Sequence, residues 1–364
     1  MGLERGRGHA RAAAPRPARA RRAWTARRHA ARRAAEAVSE VAGPALLSAV
    51  LVGLGFGYAV QRGGLCLTRA LANAALFGDR TVLCGYLLAI LVAAAATQGL
   101  ALAGAVELPR APVRWLASLV GGGLFGTGMM LAGGCAAGTW TRAGEGALGA
   151  WVALLGLATG ATAASVGALA PLRRALQDPV VEPGGAGPWV TAAALAGLAA
   201  TLVLSRGLAA PTARRWPWPL AGALVGALAA LGRWASGLAG PAVGVGVAGG
   251  TAQLLTFPLV GYPGEVTWAM GFVAGIAAGG ALAARRAGEF HWRPAPPAAL
   301  ARTLAGGALM GVGASVADGC SVAQTLAGLA ALAPGALLAS LAMGLGAFAT
   351  LRLLAGPPPR GTRG

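Results

Sequence analysis

The chain has 364 residues, of which 56% are hydrophobic and 11% are charged, and its mean hydropathy is +0.64. Soluble domains carry roughly a quarter of their residues as charges, so the composition excludes an ordinary soluble protein and indicates an integral membrane protein. The net charge of +19 suggests nucleic-acid binding only in a soluble chain. This chain is instead a membrane protein, and 11 of its 30 basic residues are concentrated in residues 1–43. We therefore expect no nucleic-acid partner.

Residues 1–43 are rich in arginine and alanine and contain no apolar run of signal-peptide length. We interpret them as a disordered, cytoplasmic basic tail that can contact anionic lipid head groups. An organelle transit peptide is the alternative, but arginine without any lysine favours a GC-rich bacterial genome. The positive-inside rule then places the N-terminus in the cytoplasm. Residues 356–364 are predicted to form a second disordered tail.

Apolar stretches long enough to cross a hydrocarbon core of about 30 Å, which takes about 20 helical residues, recur along the chain. The candidate spans lie near residues 44–61, 81–106, 115–135, 146–170, 188–205, 217–235, 265–284, 303–320 and 333–355. We therefore predict an all-α integral membrane protein with about nine transmembrane helices in a lipid bilayer. The arginines in the later loops do not fix the orientation of the spans.

Two glycine-rich stretches 185 residues apart have similar sequences. Residues 121–135 read GGGLFGTGMMLAGGC and residues 306–320 read GGALMGVGASVADGC, and 8 of 15 positions agree without a gap. Chance gives only roughly two or three such matches, so the pattern indicates an internal repeat. We predict two pseudo-symmetric repeats, over 44–178 and 188–355. An odd number of membrane crossings is predicted within the 185 residues that separate the two stretches. The second stretch would then cross the membrane in the opposite direction to the first, which favours inverted repeats.

Both repeated stretches end in a helix-breaking sequence that places a cysteine. Small residues spaced four apart explain close helix packing in lipid, but they do not explain the breaks at 133–135 and 318–320. Irregular backbone at membrane depth is tolerated only where protein or a wet cavity surrounds it. Matched broken or re-entrant helices in two halves of a chain indicate a transporter's substrate site, so Cys135 and Cys320 are predicted to face one another there. Asp318 is a further candidate, which alternatively caps a helix or pairs with an arginine.

The four cysteines form no C-x-x-C pair and have no histidine nearby in sequence, so we expect no metal and no cofactor. A disulfide among them stays open. Cys84 lies in an apolar run and is expected to be an ordinary small core residue. Cys66 follows a Gly63-Gly64 turn and is flanked by Arg62 and Arg69, which either attract anions or anchor the helix at the membrane interface.

Three blocks of this sequence resemble the YeeE/YedE sulfur-transport permeases, whose characterised members take up thiosulfate. The blocks are GFGYAVQRGGLC (55–66), with LFGDR following at 76–80, then GGGLFGTGMMLAGGCAAGTWTRAGEG (121–146), and GGALMGVGASVADGC (306–320). The resemblance implies a carrier in the bacterial plasma (inner) membrane that passes thiosulfate through a narrow constriction, with functional cysteines at Cys66, Cys135 and Cys320. It also implies a small cytoplasmic sulfur-carrier protein as a partner. Ala323 departs from the family's usual Gly-Cys-Thr-x-Gly turn, in which glycine occupies this position.

Thiosulfate is a dianion with a soft terminal sulfur, and a thiol is a weak S–H donor with a polarisable surface. Because conduction needs sites weak enough to release the ion, we expect the three thiols to act as successive donors. Amide groups around Gly134 and Gly319 and the hydroxyl of Ser321 are expected to help, and Arg62 to draw anions to the mouth. Arg142 and Glu145, in the TRAGEG sequence, are expected to tie their loop to the helix bundle.

Three other functions remain open from the sequence. A membrane sulfur-relay protein forms a cysteine persulfide, a permease of the same kind carries selenium compounds, sulfite or sulfate, and a scaffold protein uses its glycines only for packing. The chain has no G-x-x-x-x-G-K-[ST] sequence, so we expect neither ATP hydrolysis nor another enzymatic activity.

Overall fold

In the computed structural model the chain is described over residues 43–108, 112–182, 215–238, 245–260 and 266–355, and at positions 196, 198 and 199. The described helices of the first half are α1 (43–63), α2 (Leu67–Phe77), α3 (Thr81–Leu102), α4 (Trp115–Ala132), α5 (Ala136–Gly144), α6 (Leu148–Ser165) and α7 (Ala170–Gln177). Those of the second half are α8 (Trp218–Leu238), α9 (Val247–Val260), α10 (Trp268–Arg286), α11 (Pro297–Val316), a π-helix (Val322–Gly328) and α12 (Pro334–Ala355).

Within these ranges, 8 helices are long and apolar enough to cross a membrane, counting α1 with α2 and α4 with α5 as broken helices. They coincide with eight of the nine predicted spans, and the prediction of an all-α integral membrane protein is confirmed. The ninth predicted span, 188–205, lies outside the described residues except at positions 196, 198 and 199. Of the predicted tails, 1–43 lies outside them except at residue 43, and 356–364 lies outside them entirely. Large apolar side chains such as Leu51 and Leu345 point away from the bundle, as expected for helices whose outer faces contact lipid.

The elements of the two halves recur in the same order. Helices α1 to α4 correspond to α8 to α11, the π-helix takes the place of α5, and α12 corresponds to α6. The break after α4 and the break after α11 also match, because Gly133 (φ 72°) and Asp318 (φ 54°), 185 residues apart, both adopt the left-handed conformation. The predicted repeat boundaries of 44–178 and 188–355 remain a prediction.

Helices α4 and α11 are equivalent members of the two halves, and they pack directly against each other. Gly121 contacts Gly313, and Gly128 contacts Gly306, in each case backbone to backbone. Residue numbers fall along α11 as they rise along α4, so the two helices are antiparallel. A two-fold axis that exchanges antiparallel membrane-spanning helices is perpendicular to them and lies in the membrane plane, so the two halves are inverted repeats.

Glycines on a second face of each helix pack against the other half in the same way. Gly122 and Gly126 of α4 contact the backbone of α12, and the equivalent Gly307 and Gly311 of α11 contact the backbone of α6. This is the close approach that small residues spaced four apart allow between helices in lipid.

Replacing Gly126 by alanine is expected to destabilise the protein by about 1–3 kcal/mol, because the added Cβ overlaps the carbonyl oxygen of Met343 and tightly packed backbone cannot yield without strain. The matched control is Gly123→Ala on the same helix, where no atom lies within 4 Å of the added Cβ. Thermal unfolding of both variants in detergent checks the difference, and equal melting temperatures would contradict the packing described.

Candidate functional site

Three of the four cysteines lie where a short helix begins. Cys66 is the N-cap residue of α2 and Cys135 is the N-cap residue of α5, and neither thiol caps a backbone amide. Cys320 directly precedes Ser321, which is the N-cap residue of the π-helix. The glycine-rich breaks predicted from the sequence therefore serve to place a thiol at the start of each of these three helices.

The thiols of Cys66 and Cys135 are in direct contact. The Cys66 thiol donates to the sulfur of Cys135 at an Sγ–Sγ distance of 3.5 Å, and both cysteines are free rather than joined in a disulfide. The structure thus brings Cys135 closest to Cys66, whereas the sequence suggested that Cys135 would face Cys320. Cys84 is also free and buried, but it lies inside α3 and shares none of this geometry.

Hydroxyl groups surround the thiols. Ser321 is fully buried, its Oγ has no hydrogen-bond partner among the described residues, and it lies close to the thiol of Cys135. Thr68 is buried beside Cys66, and its Oγ1 is likewise without a partner in the described part of the chain. A hydroxyl can donate to an anion as well as accept from a thiol, so these two buried hydroxyls are candidate ligand groups beside the thiols.

The phenol of Tyr86 reaches the same region from α3. Its oxygen lies 2.6 Å from Oγ1 of Thr325, and because Thr325 donates to the carbonyl of Ser321, we assign Tyr86 as the donor to Thr325. Tyr86 is within electrostatic range of the thiols of Cys66, Cys135 and Cys320. This chain of hydrogen bonds fixes the first turn of the π-helix relative to α3.

The backbone amides of Gly134 and Gly319, which the sequence suggested as anion donors, are already used. Gly134 donates to the carbonyl of Met129 at 3.0 Å, and Gly319 donates to the carbonyl of Ala314 at 2.8 Å. The first amide of α5 that bonds within that segment belongs to Thr139, which donates to the carbonyl of Cys135. The backbone amides of residues 136–138, at the N-terminus of α5, have no carbonyl partner within the helix. The helix dipole favours an anion at such an end.

Gly138, in the first turn of α5, faces the two contacting thiols. A Cβ at this position would lie 2.7 Å from Sγ of Cys66 and 3.5 Å from Sγ of Cys135. The space beside the thiol pair therefore exists because residue 138 has no side chain.

One entrance to this region is strongly basic. Arg62 lies in the last turn of α1 beside the Gly63-Gly64 turn, and the guanidinium groups of Arg69 and Arg215 both lie against Gly64, where a side chain would project. Burial, followed by repulsion from Arg69, lowers the pKa of Arg215 from its usual value. Within the described ranges, neither Arg69 nor Arg215 forms an ion pair with a carboxylate, so this group of arginines can hold an anion near Cys66.

The opposite end of the bundle carries a neutralised pair of charges. Asp318, at the break after α11, bonds Arg114 at the start of α4 and accepts from Gln177 at 3.0 Å. Asp318 and Arg114 line a cavity of about 220 Å³ that extends to Gln324 on the π-helix. Asp318 therefore pairs with an arginine, which is one of the alternatives left open by the sequence.

Arg142 and Glu145 tie the loop around α5 to its surroundings, as the sequence suggested. Arg142 donates to the carbonyl of Gly133 at 2.6 Å and so closes the end of α4. Glu145 forms an ion pair with Arg293 at 3.1 Å. These contacts hold the N-terminus of α5, with Cys135, in place.

The sequence did not single out four residues of this region, namely Thr68, Tyr86, Gly138 and Arg215. Thr68 follows Cys66 by two residues in GLCLTRA, so a hydroxyl in the first turn of α2 could have been noticed. The other three are brought in by packing between distant segments, for which a single sequence carries no signal.

Inverted repeats with broken helices that turn their N-termini toward shared polar groups inside a membrane-spanning bundle define a membrane permease. The sulphur transport family matches residues 62–349 of this chain, and the chain belongs to that family. It is 31% identical to the thiosulfate transporter TsuA of Escherichia coli K12 over 306 residues, which cover 77% of this chain and 86% of that protein. It is 32% identical to TsuA of Spirochaeta thermophila over 326 residues, covering 82% and 95%.

A shorter similarity links the chain to the probable transporter YedE of Salmonella typhimurium. The two are 33% identical over 122 residues, which cover 33% of this chain and 29% of that protein.

Proposed function

We propose that this protein takes up thiosulfate across the bacterial inner membrane through a constriction formed by Cys66, Cys135 and Cys320. The observation that carries the proposal is the contact between the free thiols of Cys66 and Cys135 beside buried hydroxyls and the N-terminus of α5. The names of the two TsuA relatives support the choice of substrate. A small cytoplasmic sulfur-carrier protein is proposed as the acceptor of the delivered sulfur.

The donors suit a dianion that must be bound and then released. Arg62, Arg69 and Arg215 concentrate the anion at the entrance, where full charges attract it over a distance. Beyond them the donors are S–H, O–H and N–H groups, which bind more weakly than a guanidinium group. A chain of weak sites lets the ion enter and leave, whereas a buried arginine at the narrowest point would hold it.

The thiols act as protonated donors in this scheme. A dianion beside them disfavours the charged thiolate, because like charges in a dry site repel strongly. The S–H group of Cys66, which donates to the sulfur of Cys135, can turn to an oxygen or to the terminal sulfur of thiosulfate. Exchange of one weak hydrogen bond for another keeps the barrier to passage low.

Uptake into proteoliposomes tests this proposal. With thiosulfate labelled separately in its two sulfur atoms, a carrier is expected to deliver both labels in equal amounts, and unlabelled sulfate is expected to compete poorly because it lacks a soft sulfur. Empty liposomes and the variant Cys84→Ala are the controls. Delivery of the terminal sulfur alone would indicate a persulfide relay, and equal competition by sulfate, sulfite or selenium compounds would contradict thiosulfate as the preferred substrate.

A further inference from the structure

The contact between Cys66 and Cys135 forms a pair of neighbouring thiols that come from separate helices. The two sulfur atoms lie 3.5 Å apart, and they are free. In the part of the chain that the structure describes, no group of three or more His, Cys, Asp or Glu side chains could hold a metal ion. The pair is therefore a two-sulfur site, to which Cys320 does not contribute a third ligand.

The spacing of the two sulfur atoms suits one kind of bound centre without movement of either thiol, whereas other centres require a side chain to rotate. A disulfide needs the sulfurs about 2.05 Å apart. A linear two-coordinate ion with bonds of about 2.3 Å, the length that a thiolate makes to zinc, needs them about 4.6 Å apart. A pyramidal centre with bonds of the same length and an angle near 100° places them about 3.5 Å apart, which is the observed distance. Trivalent arsenic has this geometry and prefers soft sulfur ligands.

We propose that Cys66 and Cys135 form a binding site for trivalent arsenic, taken up as arsenous acid, As(OH)3. The neutral acid reacts with two thiols to give (Cys-S)2As–OH and two molecules of water. Two As–O and two S–H bonds break, two As–S bonds form, and each thiol proton leaves with one hydroxide. Arsenic stays trivalent, so neither an oxidant nor a reductant is needed.

The surroundings of the pair suit this reaction. Cys135 is buried and Cys66 is partly exposed, so the acid can reach Cys66 first and Cys135 then attacks intramolecularly at a high effective concentration. Gly138 leaves the space beside both sulfurs open. Reactant and product are both neutral, so the dry site imposes no charge penalty on either of them.

Arsenic retention by the purified full-length protein tests the site without any thiosulfate. After incubation with sodium arsenite and desalting, the protein is expected to keep one arsenic atom per chain, measured as bound arsenic and as intact mass. Cys66→Ser and Cys135→Ser are each expected to weaken retention at least about tenfold, because one thiol loses the advantage of chelation. Cys84→Ser and Cys320→Ser are expected to retain arsenic like the unaltered chain.

A small dithiol is expected to remove the arsenic, whereas the same concentration of a monothiol is expected to leave it bound. Retention by the double variant Cys66→Ser/Cys135→Ser would overturn the proposal, and so would loss of retention in Cys320→Ser. Because the measurement does not depend on uptake, it can fail while thiosulfate transport is confirmed, and it can succeed if the transported anion proves to be a different one.

Discussion

Replacing Cys135 by alanine is expected to lower thiosulfate uptake about 10- to 100-fold. The thiol touches Cys66 and lies close to Ser321, so its removal leaves one oxygen or sulfur of the passing anion without a donor. An unsatisfied group in a dry site costs about 1–3 kcal/mol, and this cost adds directly to the barrier at the narrowest point. Initial uptake rates in proteoliposomes containing equal amounts of protein measure the effect.

Replacing Cys135 by serine distinguishes a thiol that only donates a hydrogen bond from a thiol that reacts chemically. A hydroxyl donates a hydrogen bond but cannot carry a sulfane sulfur, so Cys135→Ser is expected to retain more uptake than Cys135→Ala. Cys84→Ala, which removes a buried thiol elsewhere in α3, is expected to transport normally. Complete loss of uptake in Cys135→Ser with normal folding would favour a persulfide relay over a series of hydrogen-bond donors.

Replacing Gly138 by alanine is expected to reduce uptake about tenfold while the protein still folds. The added Cβ would lie 2.7 Å from Sγ of Cys66, and this sulfur is the end of a side chain that can rotate away at little cost. Rotation displaces the thiol from Cys135 and removes one donor, which has a cost in the same range as a lost buried hydrogen bond. Uptake rates and melting temperatures, measured on the same samples, separate the loss of transport from any loss of stability.

Two further variants complete this test. Gly149→Ala is the matched control, because its added Cβ meets only the Cβ of Ala295, at an ordinary distance of 3.7 Å. The double variant Gly138→Ala/Cys66→Ala is expected to transport no worse than Cys66→Ala alone, since the two changes act through the same thiol. Additive losses would show that Gly138 acts by some route other than the position of Cys66.

The membrane fold could be predicted from the sequence because its signals are local. Apolar runs of the right length define the spans, and the match between 121–135 and 306–320 relates the two halves. The cysteines at 66, 135 and 320 could be selected as candidates because each follows a helix-breaking turn, and the structure indeed places each of them at the start of a short helix.

The arrangement of the site could not be predicted in the same way. Contact between Cys66 and Cys135 depends on how the N-termini of α2 and α5 meet, and the 68 residues between the cysteines do not indicate it. Nor does the sequence show that the amide of Gly134 already donates a hydrogen bond to a carbonyl in the last turn of α4. Arg215 and Tyr86 are brought to this region only by packing between distant segments. The residues next to them in the sequence do not indicate this.

The unequal charges at the two ends of the bundle have a consequence for the direction of transport. In the proposed pathway three arginines at one end attract an anion from that side, while Asp318 at the other end is paired with Arg114 and leaves no net charge there. Fixed charges alter the rates of entry and exit but not the equilibrium distribution of the anion, so this asymmetry cannot by itself concentrate the anion on one side of the membrane. Accumulation of sulfur inside the cell therefore needs a source of free energy other than these charges, such as an ion gradient or removal of the arriving anion by metabolism.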